Sequence, residues 1–290
     1  MFEKDFCIPP IPFSNINYSQ TLNAPKLRFG FFDDLPIVST STSVKRAISM
    51  VREKLIAAGH EVVVVPLTEA DCIDFIEIHM NCCTMGVFEQ FDEALRVKGD
   101  RPISIYKPHF LFYNFPRFLQ AIVKFFVRLA HGNRKVIGMG SMKKFTKAEV
   151  DTFLRRKAKF DTHFKDIWQN LKLDGLICPV FPHSAFRHTE ADELGFFAYY
   201  TMLFNLLGYP SGSVPVTEVM AGEDIPTAYA DAHNDIYTRT LQSSMVGSRG
   251  LPIGLQVVAP KWKDESCLAL MQIISDLVKF KKMPECAKLN

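Results

Sequence analysis

The sequence predicts an α/β protein, and its apolar runs support this class. Residues 26–32 alternate in polarity and are rich in Phe, which is typical of a strand. Residues 44–59 place apolar side chains on one helical face and end at a glycine. Residues 61–66 form a continuous β-branched run, as expected of a parallel strand buried on both faces. This order is a βαβ unit, and apolar runs at 173–181 and 251–259 predict further buried strands.

The elements around the first strands follow from local signals. Residues 1–25 are rich in proline and predict an extended lead-in that crosses the surface of another element. Hydroxyl residues at 41–43 predict the cap of the first helix, and residues 70–100 predict half-buried helix. A capping box from Thr146 to Glu149 predicts the start of a long helix that runs to residue 171.

The C-terminal part of the chain alternates helix and strand. Residues 195–207 predict a buried helix, and the glycines and prolines after it argue against a membrane span there. Residues 213–216 predict a short strand, and residues 218–237 are acidic and predict irregular structure. Asp264 predicts the cap of a last helix with one apolar face.

Composition excludes several classes of protein. The formal net charge of +3 does not provide the concentrated basic face of nucleic-acid-binding proteins, so no nucleic-acid partner is expected. The 7 Cys and 8 His show no metal-ligand spacing, so we expect reduced thiols and no metal or other cofactor. The chain start has no signal-peptide pattern. The 25 Phe have two explanations: contact with an apolar ligand or a membrane, or a Phe-rich core.

No catalytic set stands out among the hydroxyl residues. The segment from Ser141 to Lys144 matches S-x-x-K, but the other elements of that motif are missing and chance explains it better. Turn chemistry and a helix end explain the serine pairs at 211–213 and 243–244. We therefore expect no catalytic residue in this chain.

Residues 103–131 carry the clearest physical signal. An aromatic run at 110–116 precedes a segment with basic side chains on one helical face and Phe, Leu and Ile over most of the rest. No acidic residue lies between Arg101 and Glu149. A helix of this kind can lie in the plane of a membrane, held by apolar burial and by anionic headgroups. The alternative is a helix packed on the core with solvated basic residues. The residues expected to contact the membrane are Phe112, Phe115, Arg117, Phe118, Ile122, Lys124, Phe125, Phe126 and Arg128.

Segments in the C-terminal part resemble the amidase signature family. They are DGLICPVFP (174–182), FNLLGYPSGSVPV (204–216) and GLPIGLQVVAP (250–260), and the likeness is strongest to the fatty-acid amide hydrolases. The resemblance implies a mixed sheet flanked by helices. It also implies that residues 1–290 are the C-terminal part of an amidase domain, with residues 103–142 as a membrane-binding cap. The implied reaction is hydrolysis of a lipid amide to a fatty acid and an amine.

The resemblance also implies residues for the substrate. Gly195, Ala198, Met202 and Tyr237 fall at positions that line the acyl channel of the family, although ordinary core packing is an equal explanation. The family's Ser–Ser–Lys triad belongs to its N-terminal half, so this chain alone is expected to be inactive. The alternative is a pseudo-amidase that binds lipid or membrane. The implied partners are a lipid amide, a membrane surface and a second copy of the chain. The implied location is peripheral, on the cytoplasmic face of intracellular membranes.

Overall fold

A five-stranded mixed sheet organises the computed structural model of the chain, which describes residues 14–99, 101, 107–139 and 141–282. The strands lie in the order β2-β1-β3-β5-β4. They are β1 (Arg28–Phe31), β2 (Glu61–Val64), β3 (Gly175–Pro179), β4 (Ser211–Glu218) and β5 (Pro252–Val258). Strand β1 pairs in parallel with β2 and β3, whereas β5 pairs antiparallel with β3 and β4. The prediction of a mixed α/β sheet is confirmed.

Helices cover both faces of this sheet. They are α1 (Asn15–Leu22), α2 (Thr42–Ala57), α3 (Glu69–Thr84), α4 (Val87–Lys98), α5 (Lys107–Asn114), α6 (Arg117–His131), α7 (Asn133–Met139), α8 (Lys147–Asn170), α9 (Ala191–Leu194), α10 (Tyr199–Leu207), α11 (Ile236–Met245) and α12 (Asp264–Val278). Short 3-10 turns occur at His188–Glu190, Gly195–Phe197 and Pro226–Ala228. None of the helices within the described ranges is both long and apolar enough to cross a bilayer.

The pleat of the strands divides the core into two layers. Leu176 and Cys178 of β3 point into a layer with α3, α8 and α10, whereas Ile177 points into a layer with α2 and α12. Both layers consist mainly of aliphatic and aromatic side chains that are fully buried. Many of the 25 Phe therefore belong to the core, which agrees with the alternative that the high Phe content reflects a Phe-rich core.

Several local expectations need correction. Residues 15–22 form helix α1 instead of an extended lead-in, because the Ser14 hydroxyl accepts a hydrogen bond from the Asn17 amide and caps the helix. Residues 1–13 of that lead-in lie outside the described residues. Helix α1 packs on α12, where Ser14 N donates to Glu265 Oε1 over 2.8 Å. The cap of α12 is Lys263, and Asp264 is its first helical residue.

Strand β2 lies at the edge of the sheet, which the sequence did not predict. Within the described residues it pairs with β1 alone, and the Val64 side chain is 61% exposed. This β-branched run was expected to be buried on both faces, but its residues are half-buried or exposed, because an edge strand has no neighbouring strand to cover one of its sides. Strand β4 is longer than expected, and helix α11 begins inside the segment that was expected to be irregular.

Gly175→Ala is expected to lower the free energy of unfolding by about 1–3 kcal/mol, because it overpacks the core. A Cβ on Gly175 in β3 would lie 2.6 Å from Cδ1 of Leu270, which is fully buried and cannot move into solvent. Urea unfolding measures the change. Gly195→Ala is the matched control, since a Cβ there meets no atom within 4 Å. Equal midpoints for the two variants would contradict the tight packing of β3 on α12.

Candidate functional site

Helix α6 turns an apolar face toward solvent. Positions 118, 122, 125, 126 and 129 fall within about 100° of one another on an α-helix. Their side chains are between 48% and 69% exposed, and they are Phe118, Ile122, Phe125, Phe126 and Leu129. Leu111 of α5 is also exposed. A continuous exposed face of large apolar side chains is unusual on a soluble domain and marks an interaction surface.

The side of α6 that carries Gln120 faces the protein instead. Gln120 is buried, and its Nε2 donates to the carbonyl oxygens of Phe112 (3.0 Å) and Met142 (3.2 Å). These hydrogen bonds hold the back of the helix against α5 and the segment before α8. The apolar face therefore cannot rotate into the core without leaving a buried amide unsatisfied.

The ends of α6 are set by local sequence. Pro116 occupies the N-cap position, and a proline there fits because its fixed φ suits the start of a helix and a missing N–H costs nothing. Gly132 ends the helix with a φ of 85°, which favours glycine. The turn at Gly132 brings α7 directly after α6 and close to Asp235.

The basic residues of α6 have three different environments. Arg117 forms an ion pair with Glu149 over 2.8 Å, and this pairing lowers the pKa of Glu149. Lys124 is half-buried, with Nζ 5.9 Å from the centroid of the Phe112 ring, and burial lowers its pKa. Arg128 is exposed. The expectation of basic residues without acidic partners is therefore wrong for Arg117, since Glu149 reaches it from the start of α8.

Two aromatic residues of the predicted membrane surface point elsewhere. Phe112 is buried beneath α6, which corrects its assignment to the membrane-contacting set. Phe115 is half-buried, and its ring centroid lies 6.4 Å from that of Phe112. Leu111 and Leu129 are exposed instead. Leu129 continues the helical spacing of Phe118, Ile122 and Phe125 and could have been assigned from the sequence.

The residues expected to contact an acyl chain lie around a short segment before α10. Gly195 is exposed and begins the 3-10 turn, and Ala198 ends it. The Met202 N–H donates to the Ala198 carbonyl (2.9 Å), and its side chain packs on the core layer of α3, α8 and α10. Tyr237 is buried on α11 and meets Phe197 edge to face at 5.3 Å. Phe197 thus links Tyr237 to the turn that carries Gly195 and Ala198.

A buried ion cluster ties the predicted cap to the rest of the chain. Arg134 of α7 is 1% exposed and donates to Asp231 (2.8 Å), Asp235 (2.8 Å from Nε) and Thr238 (2.9 Å). Its guanidinium also lies 5.5 Å from the ring centroid of Phe197. No local sequence signal indicates this cluster, because Arg134 lies 97 positions before Asp231.

Hydrogen bonds from this cluster keep its carboxylates charged. Burial alone would raise the pKa of Asp231, but hydrogen bonds from Thr238 and Tyr229 and the charge of Arg134 hold it below the ordinary value. Burial likewise acts to raise the pKa of Asp235. The hydrogen bond from Arg134 outweighs this effect of burial and lowers the pKa of Asp235. The cluster therefore stays ionised at neutral pH.

Two serines bear on the search for a nucleophile, and one of them, Ser184, has a base at hydrogen-bond distance. Ser141 of the S-x-x-K match is buried, while Lys144 lies over the Tyr113 ring with Nζ 5.8 Å from its centroid. The Oγ of Ser184 lies 3.1 Å from Nε2 of His183. Both residues and Phe181 line a cavity of 190 Å³. Burial lowers the pKa of His183 to about 4, so its ring is neutral at pH 7.

Comparison with known proteins decides the family. The family model described as Amidase matches residues 8–268, which is most of the chain. The chain belongs to the amidase family. The resemblance carried by the motifs at 174–182, 204–216 and 250–260 is thereby confirmed.

Relatives within the amidase family include fatty-acid amide hydrolases. Fatty-acid amide hydrolase 1 of Sus scrofa is 26% identical over 282 residues, which cover 96% of this chain and 47% of that protein. Fatty acid amide hydrolase 1 of Caenorhabditis elegans is 25% identical and covers 94% of this chain and 46% of its own length. The chain thus spans about half the length of these curated relatives.

Solved structures agree on the amidase fold. A fatty acid amide hydrolase structure superposes with a TM-score of 0.66 at 19% identity, covering 96% of this chain and 44% of the other. The native peptide amidase of Stenotrophomonas maltophilia gives a TM-score of 0.53 at 15% identity, covering 96% and 48%. At these identities the likeness establishes the fold of this amidase chain and its mixed sheet.

Proposed function

We propose that this chain is the C-terminal portion of an amidase that hydrolyses lipid amides to a fatty acid and an amine at a membrane surface. The observation that carries the proposal is the outward apolar face of α6. Two relatives named as fatty-acid amide hydrolases support the substrate class. In the reaction, the carbonyl–nitrogen bond of the amide breaks, and water supplies the hydroxyl of the acid and a proton of the amine.

The energetics favour an interfacial helix over a solvated one. Burying a large apolar side chain contributes about 1.5–3 kcal/mol, and α6 offers several on one side. A cationic side chain close to an anionic leaflet contributes about 1 kcal/mol more. Arg128 is exposed beside the apolar face and is suited to this role. The attachment is peripheral, with the helix axis in the plane of one leaflet.

The acyl chain of the substrate would run along Gly195, Ala198, Met202 and Tyr237. Apolar neighbours such as Phe197 surround these positions, and each buried methylene of a lipid contributes about 0.8 kcal/mol. Gly195 leaves open space where a side chain would stand, so a ligand could approach the backbone there. The nucleophile and its base are proposed to lie outside this chain, which then supplies binding surface and orientation.

Flotation with neutral phosphatidylcholine vesicles tests the membrane role. Phe118→Ser combined with Phe125→Ser removes two exposed rings and is expected to reduce the vesicle-bound fraction about tenfold or more. The matched control is Ile56→Ser combined with Leu268→Ser, which removes exposed apolar side chains from α2 and α12 on the other face of the sheet. Binding by the control but not by the α6 variant supports the proposal. Equal binding of both variants and the unchanged chain refutes it.

A further inference from the structure

A cavity of 590 Å³ lies beside α6, against the side chains of Lys124 and Arg128. Its wall is formed by residues of α3, α6 and α7, by the segment before α8, and by Arg156 of α8. Basic side chains dominate the charged lining, which consists of Lys124, Arg128, Lys143, Arg156 and the single acid Glu77. Asn81 and Asn133 add side-chain amides, which can donate hydrogen bonds.

Only part of this positive charge is balanced by acids. Arg156 pairs with Asp74 and, over 2.7 Å, with Glu77, and Lys143 pairs with Glu149 over 2.9 Å. Lys124 and Arg128 have no ion-pair partner among the residues that the structure describes. They therefore leave a net positive charge on a concave wall, where a bound anion would be partly shielded from water.

The position of Lys124 adds to this imbalance. Its ammonium group is half-buried over the Phe112 ring, and burial followed by the charge of Lys143 lowers its pKa. Two ammonium groups close enough to repel each other form a favourable place for a multiply charged anion. Arg128 supplies a planar set of donors of the kind that binds phosphate oxygens in pairs.

We propose that this cavity binds a phosphate group through Lys124 and Arg128. The group has two sources: the headgroup of a phospholipid in the leaflet below α6, or a free phosphate ion. The volume of 590 Å³ leaves room for atoms attached to the phosphate. The site takes no part in breaking an amide. Binding of a phospholipid headgroup rests on the membrane role proposed above, whereas binding of a free phosphate ion does not.

Calorimetric titration with inorganic phosphate, at an ionic strength held constant with chloride, tests the site directly. The unchanged chain is expected to bind one phosphate saturably. Lys124→Gln combined with Arg128→Gln is expected to weaken binding about tenfold or more. Lys147→Gln combined with Lys159→Gln removes the same charge from exposed positions of α8 and is expected to bind like the unchanged chain. Absent saturation, or equal affinity in all three proteins, overturns the proposal.

Folding of the variants is checked by near-ultraviolet circular dichroism. Neither Lys124 nor Arg128 makes an ion pair with any residue in the described part of the chain, so the packing should persist. If the double variant loses its tertiary signal, Arg128→Gln alone replaces it, because that side chain is exposed. A single variant with unchanged phosphate affinity then counts against the proposal.

Vesicles distinguish the two sources of phosphate. Adding phosphatidic acid to phosphatidylcholine should strengthen binding of the unchanged chain, and inorganic phosphate should reverse the gain, if the ligand is a lipid headgroup. Saturable binding of inorganic phosphate without any gain from phosphatidic acid identifies the free ion instead. The neutral vesicles used for the Phe118 and Phe125 variant report on the membrane role independently of the titration.

Discussion

Arg134→Met is expected to lower the free energy of unfolding by about 3–5 kcal/mol, because it leaves two buried carboxylates without their counter-ion. The side chains of Arg134, Asp231 and Asp235 are 1%, 1% and 8% exposed. Methionine keeps the length of the aliphatic part but cannot donate to either carboxylate or to Thr238. The α7 segment would then lose its main polar attachment to α11.

Urea unfolding at pH 7 measures this loss. Arg117→Met is the matched control, because it removes the same type of side chain and breaks the exposed ion pair with Glu149. Exposed pairs contribute little, so its unfolding midpoint should stay close to that of the unchanged chain. A small and equal effect for both variants would show that the buried cluster does not hold α7 in place.

The same cluster sets a dependence on pH. The folded pKa of Asp231 and of Asp235 lies below the ordinary value of 3.8. Their contribution to stability is therefore fully present above about pH 4 and is lost as the pH falls through the lower folded values. Without Arg134, burial would raise these pKa values instead. The difference in stability between the variant and the unchanged chain should shrink as the pH is lowered from 7 to 4.

The sheet could be predicted from the sequence, but not its edges. Long apolar runs identify β3 and β5 because a buried strand excludes charged residues over its whole length. The run at 61–66 has the same local pattern, yet β2 has a neighbour on one side only within the described chain. Which strands pair is decided by distant segments, and a window of six residues carries no information on that choice.

The amphipathic helix at 117–131 could also be predicted, but its orientation could not. Periodicity shows which residues share a face and leaves open which face points inward. The structure turns Gln120 inward and Phe118 outward, and it buries Phe112 beneath the helix. A buried amide bonded to carbonyl groups replaces the apolar contact that a core-facing helix would normally provide.

The Arg134 cluster shows a further limit of local patterns. The basic segment at 103–142 and the acidic segment at 218–237 are both evident in the sequence, but nothing in either one indicates that they meet. Their opposite charges are suited to a contact, and the fold brings Arg134 to Asp231 and Asp235. Long-range charge complementarity was therefore a usable signal, although it does not select the residues.

The purified chain is expected to show no specific serine labelling by a fluorophosphonate probe. Any reaction of the probe with a serine should be at least about a thousandfold slower than its reaction with an intact serine hydrolase. A nucleophilic serine needs a base that can accept its proton and an open path to the substrate. Among the described serines, Ser184 is the strongest candidate for a nucleophile, because it lies beside His183. Its side chain is buried, the pKa of His183 is lowered to about 4, and Nδ1 of that ring has no hydrogen-bond partner.

A histidine with this environment is a weak base, since burial disfavours the imidazolium that proton transfer would create and outweighs the opposing charge of Glu190. Labelling followed by mass-spectrometric mapping decides the matter, with an intact serine hydrolase in the same tube as a positive control. Ser184→Ala and His183→Ala serve as the matched variants. A stoichiometric adduct on Ser184 that both variants abolish would place hydrolytic chemistry in this chain and contradict the proposal that it supplies only binding surface.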